Sequence, residues 1–280
     1  MQWSVSIQLM WDGLPFPDRV RAAAAAGFDL VDLWDQRQSD IDGVAAACRE
    51  TGIGINGFFG TRDTQLCDPA AKGDVLDEIS RNLDVAVRVG ARQLHVFSNA
   101  IRPGGLVVPA PDLPVERLLD ACAETLEAAA DRVAGSGVQL VLEHLNTVFL
   151  PGYLWDDAAT SVELAQRIGR FDQVAAVFDS FHQQLTHGRL AETLDAGLPW
   201  FGRVDLAQVP GRFEPGEGEI DLGYLLRLLG ERGWDRTVTF ETTPKAGDPE
   251  RAVRAIQNLI AEHARTTARA DARAAQPEGR

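Results

Sequence analysis

Four segments of this chain run from apolar residues into a single carboxylate. "VQLVLEH" (138–144) reaches Glu143, "VAAVFD" (174–179) stops at Asp179, "FGRVDLA" (201–207) carries Asp205, and "TVTFE" (237–241) stops at Glu241. An acid at the end of a buried-type run is costly unless it caps a helix, reaches solvent or binds something. Taken singly, Asp179 reads as a helix N-cap and Glu143 or Glu241 as a solvated strand terminus. Brought to one place, the four would repel one another unless a cation or shared protons offset the charge. Oxygen donors without cysteine suit Mg2+ or Mn2+, with Co2+ or Zn2+ also able to bind. One divalent metal ion held by Glu143, Asp179, Asp205 and Glu241 is therefore the expectation.

Other chemistry-bearing residues lie beside these acids. His182 follows Asp179 by three positions, so both groups can point the same way, and it is a candidate substrate contact. His144 follows Glu143 directly and should face the opposite side of its strand, which makes it structural. His95, in "QLHVF" (93–97), is a second substrate-binding candidate on the same alternation argument. Arg212 lies in "VPGRFEPGEGEID" (209–221), and its guanidinium could bind a substrate carboxylate or a polarised oxygen with two parallel bonds. The alternative for Arg212 is a surface ion pair with Glu214 or Glu217. The glycines of that stretch are weak evidence of phosphate binding, since no helix follows a strand-to-glycine turn there. Trp34 could stack on a ring or pack locally.

The elements that must position these side chains are visible as an alternation. Short β-type runs, among them "SVSIQL" (4–9), "LVDLW" (30–34) and "IGINGF" (53–58), alternate with longer Ala-rich stretches of helical period such as "VERLLDACAETLEAAADRVAGSG". Eight such units in one domain-sized length imply a single-domain α/β fold, a (β/α)8 TIM barrel over residues 1–265. Residues at the C-terminal ends of barrel strands build the active site in that fold, which brings the four acids to one mouth. The Pro/Gly-rich segment 101–114 follows the fourth strand and could cover it or merely connect. Apolar periodicity lapses from about Thr266, so 266–280 is expected to be a frayed or disordered tail.

Composition restricts the partners. With 41 acidic against 27 basic residues and a formal charge of -14, the mean field repels phosphate backbones and anionic lipid, so nucleic acid and membrane surfaces are not expected partners. Cys48, Cys67 and Cys122 are odd in number and widely spaced, which fits neither a disulfide framework nor a metal knuckle. Idle thiols in a reducing cytoplasm are the expectation. The opening "MQWSVSIQLM" carries neither a basic leader nor a long apolar run. The oligomeric state is left open, a homo-oligomer being compatible with the sequence.

At these residues the sequence resembles the xylose isomerase-like TIM barrels, closest to their hydroxypyruvate isomerase-like branch, and does so over nearly the whole chain. The resemblance is carried by "LEHLNTVFLPGYL" (142–154), "FDSFHQQ" (178–184), "PGRFEPGEGEID" (210–221) and "FET" (240–242). It implies Glu143, Asp179 and Glu241 as metal ligands, Glu143 with Glu241 as the catalytic proton-transfer pair, and His182 and Arg212 as substrate contacts. Two positions depart from the pattern. The strand-seven ligand, a Gln or His in the family, is Asp205 here, and the usual Glu-Pro-x-Asn reads Glu143-His144-Leu145-Asn146. An extra anion at the metal should weaken the grip on an acidic substrate. The implied activity is a metal-dependent isomerase or epimerase of carbohydrate metabolism, acting on a hydroxypyruvate-like acid or a ketose through an enediolate. A dehydratase on the same barrel and a non-catalytic carbohydrate-binding barrel are the alternatives. A base-excision endonuclease shares the architecture but needs a His-rich metal cluster and favourable phosphate electrostatics.

Overall fold

Eight β-type runs pair in parallel and close on themselves in the computed structural model, which describes residues 1–274. The barrel strands are β1 (Gln2–Ser6), β2 (Leu30–Asp32), β3 (Gly54–Phe59), β4 (Gln93–Val96), β7 (Gln139–Leu142), β8 (Val174–Asp179), β9 (Phe201–Leu206) and β10 (Thr237–Phe240); β5 (Ile101–Arg102) and β6 (Leu106–Val107) form a separate antiparallel hairpin. The helices are α1 (Phe16–Ala25), α2 (Ile41–Thr51), α3 (Lys72–Val89), α4 (Val115–Val133), α5 (Ala158–Ile168), α6 (Ser180–Thr186), α7 (Leu190–Gly197), α8 (Leu222–Glu231) and α9 (Pro249–Ala274). This is the (β/α)8 TIM barrel that the alternation implies. No helix among the described residues is long and apolar enough to cross a membrane.

Strand alternation divides the barrel chemically. Val31, Ile55, Leu94, Leu140, Val204 and Val238 are buried with the helices' apolar faces in one core. Their neighbours one position away are polar and meet across the interior. Ser4 Oγ and Asn56 Nδ2 each donate to Asp32 Oδ2 at 2.8 Å, and Gln93 Nε2 donates to Gln139 Oε1 at 3.1 Å. The polar interior is where charge can be held away from solvent. Close strand approach has its own requirement: a Cβ at Gly57 would lie 2.7 Å from the Gln93 carbonyl oxygen, so β3 and β4 could not pair as they do with any larger residue there.

Three features differ from the sequence expectation. The first strand lies at 2–6, not 4–9, because the chain turns after Ser6, whose carbonyl accepts from Met10 N at 3.1 Å. Segment 101–114 contains the β5–β6 hairpin, whose tight reversal uses Gly104 and Gly105 at φ 82° and 76°. Helix α9 runs on to Ala274, past Thr266, while residues 275–280 of the expected tail lie outside the described residues.

Candidate active site

Register brings the acids together. Asp179 pairs with Asp205 across β8 and β9, Thr239 pairs with Asp205 across β9 and β10, and Glu241 follows Thr239 by two positions on the same side. Asp179, Asp205 and Glu241 consequently present carboxylate oxygens that all lie within 4.8 Å of one another. Glu143 joins a second group of that spacing, with Asp179 and His182. The four expected ligands thus form two groups sharing Asp179. Both adjoin a cavity of about 390 Å³ at the C-terminal mouth, lined in part by Glu143, His182, Arg203, Arg212 and Glu241. Ile101, Gly104 and Gly105 of the hairpin also line it, so segment 101–114 does reach the mouth.

Asp179 performs both roles that the sequence sets against each other. Its Oδ1 caps α6, accepting from Phe181 N at 2.7 Å and His182 N at 3.0 Å, which leaves Oδ2 for the site. Burial opposes its ionisation, but the Arg212 guanidinium and the backbone N–H of His182 favour the charged form and hold the group below the ordinary carboxylate range, the ring of His182 being neutral and adding no charge. The other acids move the opposite way. Burial first, then Asp179, pushes Glu143 up to about 8. Burial, with Glu241 and Asp179 adding to it, pushes Asp205 up to about 8 despite Arg203. Glu241 is also raised, by burial and then by Glu143 and Asp179, against the pull of Arg212.

Arg212 does not make the surface pair with Glu214 or Glu217. Its Nη2 lies 2.9 Å from Glu241 Oε1 and 3.2 Å from Asp179 Oδ2, while its Nε donates to the Glu241 carbonyl at 3.2 Å. Glu214 instead accepts from Lys245 N, and Glu217 pairs with Lys245 and Arg251. Trp34 Nε1 donates to the same Glu241 Oε1 at 2.8 Å, so this tryptophan orients an acid and is more than a stacking surface.

The histidines have readable tautomers. His182 Nδ1 accepts from Asn146 N at 3.0 Å and Asn146 Nδ2 at 2.8 Å, so its proton resides on Nε2, which lies 3.9 Å from Asp179 Oδ2 beside the cavity. In that state His182 can donate to a substrate oxygen and is not a metal ligand. Burial lowers its pKa to about 3. His95 Nε2 faces the always-charged Arg203 Nη1 at 2.9 Å and must accept, so Nδ1 donates to Glu143 Oε2 at 2.5 Å. Both ring nitrogens are committed to protein. His95 lines the cavity as expected, but it orients Glu143 and has no polar atom left for a substrate. His144 is fully buried, as its structural assignment requires, with neither ring nitrogen hydrogen-bonded.

Sequence reasoning missed Arg203. Its buried guanidinium donates to Asp205 Oδ1 at 2.8 Å, Asp32 Oδ1 at 2.7 Å and Thr239 Oγ1 at 2.9 Å, besides His95. A signal existed: Arg203 precedes Asp205 by two positions in a strand, so the two share a face. The extra anion at position 205 therefore arrives with its own counter-charge.

These residues fit a divalent cation. Asp205 Oδ2 is buried without a hydrogen-bond partner, and a positive group, Arg212 Nη2, already bridges Asp179 and Glu241. The donor set is oxygen-only, as hard cations prefer. None of the three thiols lines the cavity: Cys48, Cys67 and Cys122 are buried, and burial pushes Cys48 and Cys67 up to about 11.

Comparison with known proteins gives a consistent family assignment. Residues 20–263 match the family model described as "Xylose isomerase-like TIM barrel". A 2-oxo-tetronate isomerase of Cupriavidus necator is 27% identical over 255 residues, covering 88% of this chain and 94% of that protein. A human protein provisionally named hydroxypyruvate isomerase is 30% identical over 245 residues, covering 84% and 86%. Among solved structures, an AP endonuclease, family 2, from Brucella melitensis superposes with a TM-score of 0.75 at 27% identity, covering 87% of this chain and 93% of that one. An L-ribulose 3-epimerase superposes with a TM-score of 0.77 over the full length of both chains at 17% identity, a likeness of fold.

Proposed function

Since this chain belongs to the xylose isomerase-like TIM barrel family, we propose that it is a divalent-metal-dependent isomerase or epimerase of a small hydroxycarbonyl compound, moving a proton at the carbon next to a carbonyl. The observation that carries this reading is the convergence of Asp179, Asp205 and Glu241 beside a cavity that Glu143 also lines. Two glutamates on one cavity supply a base and its return partner, and the names of the 2-oxo-tetronate and hydroxypyruvate isomerase relatives support the reaction class. Asp179, Asp205, Glu241 and Glu143 would hold Mg2+ or Mn2+, which when bound polarises a carbonyl oxygen and lowers the barrier to removing the neighbouring proton.

The protein's own groups divide the remaining work. Glu143, buried in the cavity wall and held by the His95 Nδ1–H, accepts the proton as the carboxylate positioned at that end of the cavity. Glu241, fixed by Trp34 and Arg212, exchanges the proton on the far side of the substrate. The His182 Nε2–H and the Arg212 guanidinium donate to substrate oxygens on which negative charge develops. Arg203 keeps His95 in its Nδ1–H form, so the base is oriented the same way in each cycle.

An endonuclease role is disfavoured by the net charge of -14, which repels a phosphodiester backbone. The test is interconversion. Mn2+-loaded protein incubated with a panel of ketoses, aldoses and 2-oxo-3-hydroxy acids should interconvert one pair of isomers or epimers, followed by NMR. A product absorbing in the ultraviolet would identify a dehydratase. Ligand binding with no turnover of any member would leave the carbohydrate-binding reading.

A further inference from the structure

Three guanidinium groups line the cavity, and two are already committed. Arg203 is engaged by Asp32 and Asp205, and Arg212 by Asp179 and Glu241. Arg62, on the loop between β3 and α3, is different. Its Nη1 lies 3.1 Å from Asp35 Oδ2, but Asp35 is independently clasped by Arg37 at 2.9 Å and 2.8 Å, and Arg62 Nε and Nη2 make no hydrogen bond among the described residues. Arg37 also pairs with Asp63 at 2.5 Å, so the four-residue cluster is neutral in sum. Asp35, Arg37 and Asp63 do not line the cavity, whereas Arg62 does. The cluster therefore turns its positive end inward.

The setting is built. Glu78 of α3, buried, accepts from Arg62 N, Asp63 N and Thr64 N, each at 3.0 Å, and so fixes the loop from which the side chain projects. The guanidinium carbon lies 5.9 Å from the Phe59 ring centre. Phe59 stacks on Trp34 at 6.3 Å and meets Phe97 edge-on at 5.0 Å, giving an apolar wall that strengthens a charge–charge contact by excluding water.

We propose that Arg62 recognises a carboxylate on the substrate, so that the reacting compound is a hydroxycarbonyl acid, with its carboxylate at the Arg62 end and its reacting carbons between Glu143 and Glu241. This rests on the isomerase or epimerase reading and deepens it. It also reverses the expectation that the extra acid at position 205 disfavours an anionic substrate: Arg203 offsets Asp205, and Arg62 supplies the open cation. The flat fork of a guanidinium matches a planar carboxylate, and two of its nitrogens are unengaged.

The test compares erythronate with erythritol, an acid and a neutral polyol of equal chain length, by titration calorimetry on protein dialysed against Mn2+. Wild type is expected to bind erythronate at least about tenfold more tightly, with the preference shrinking as salt rises. Arg62→Gln should lower erythronate affinity by about ten- to a hundredfold and leave erythritol unchanged, and Arg62→Lys should restore part of the loss. Asp35 stays held by Arg37 in both variants, so the loop keeps its anchor. An undiminished erythronate preference in Arg62→Gln, or none in wild type, overturns the assignment. Tighter binding of erythritol 4-phosphate that depends on Arg62 overturns the carboxylate in favour of a phosphate. Failure of the enzymatic reading looks different: Arg62-dependent erythronate binding persists while no hydroxycarbonyl acid or ketose is turned over.

Discussion

Arg203→Met removes a buried cation from between two carboxylates, and the structure indicates how unequally they would suffer. Asp32 would keep its bonds from Ser4 and Asn56, both 2.8 Å. Asp205 would lose its only side-chain donor, since Oδ1 is held by Arg203 Nε and Oδ2 has no partner. Removing one member of a buried ion pair typically costs about 3 to 5 kcal/mol, because the other charge is left uncompensated. Most of that should fall on Asp205. Arg203→Met with Asp205→Asn should therefore recover about 1.5 to 3 kcal/mol, and Arg203→Met with Asp32→Asn markedly less. The assay is urea unfolding followed by circular dichroism, in EDTA so that no metal substitutes for the guanidinium. It belongs at about pH 8.5, where Asp205 of the wild type, pushed by burial to about 8, is largely ionised; without Arg203, which lowers that value, the variant can meet the penalty only by taking up a proton. At pH 6 Asp205 takes up a proton and the penalty should shrink. A cost below about 1 kcal/mol at the higher pH, or double variants that are simply additive, would refute the claim that Arg203 offsets the extra acid.

The other expectations concern metal, protons and Arg212. Asp179→Asn and Asp205→Asn should each lower the Mn2+ bound per chain after dialysis, measured by elemental analysis; wild-type stoichiometry in both would remove them from the ligand set. Glu143 and Asp205 have folded-state pKa values near 8, above their unfolded values, so the folded metal-free protein holds protons that the unfolded chain has released. Above about pH 7, where the histidines that burial keeps neutral no longer take up protons in the unfolded chain either, its thermal midpoint should therefore fall as the pH rises to about 8, and Mn2+ should flatten the slope; a midpoint that rises across this window contradicts the assigned burial of charge. Arg212→Ala should lower kcat/KM by about one to two powers of ten, or 1.4 to 3 kcal/mol, while tightening Mn2+ binding, because the guanidinium contacts oxygens of Asp179 and Glu241 that a cation would use. Unchanged values on both counts would place Arg212 outside the working site.

What the sequence made legible depended on how local the cause was. Asp179, Asp205 and Glu241 were readable because a strand's period of two and a barrel's single working face are enough to send strand-end acids to one mouth. Asp179 was read as either a cap or a site residue, although a carboxylate has two oxygens and the structure uses one for each. Arg203 was missed because its meaning lies in Asp32, which is 171 positions away in sequence, and in His95, which is 108 away. The same ties change the part played by His95, since only the donor on the far side of its ring determines which nitrogen faces Glu143. Arg62 was silent for a similar reason: Glu78 and Asp35 give it its position, and no spacing rule connects the three.

The central claim is proton transfer between Glu143 and Glu241, and the most direct measurement is deuterium incorporation at the reacting carbon in D2O, followed by NMR with Mn2+ saturating. A carboxylate that has accepted a proton can trade it with solvent before returning it, so wild type should label the substrate. Glu143→Gln and Glu241→Gln keep the side-chain shape but remove the basic oxygen, and each should slow labelling by at least about two powers of ten, with a smaller loss of binding. Isomerisation without any label from solvent would contradict the account, as would labelling that continues at the wild-type rate in both glutamine variants.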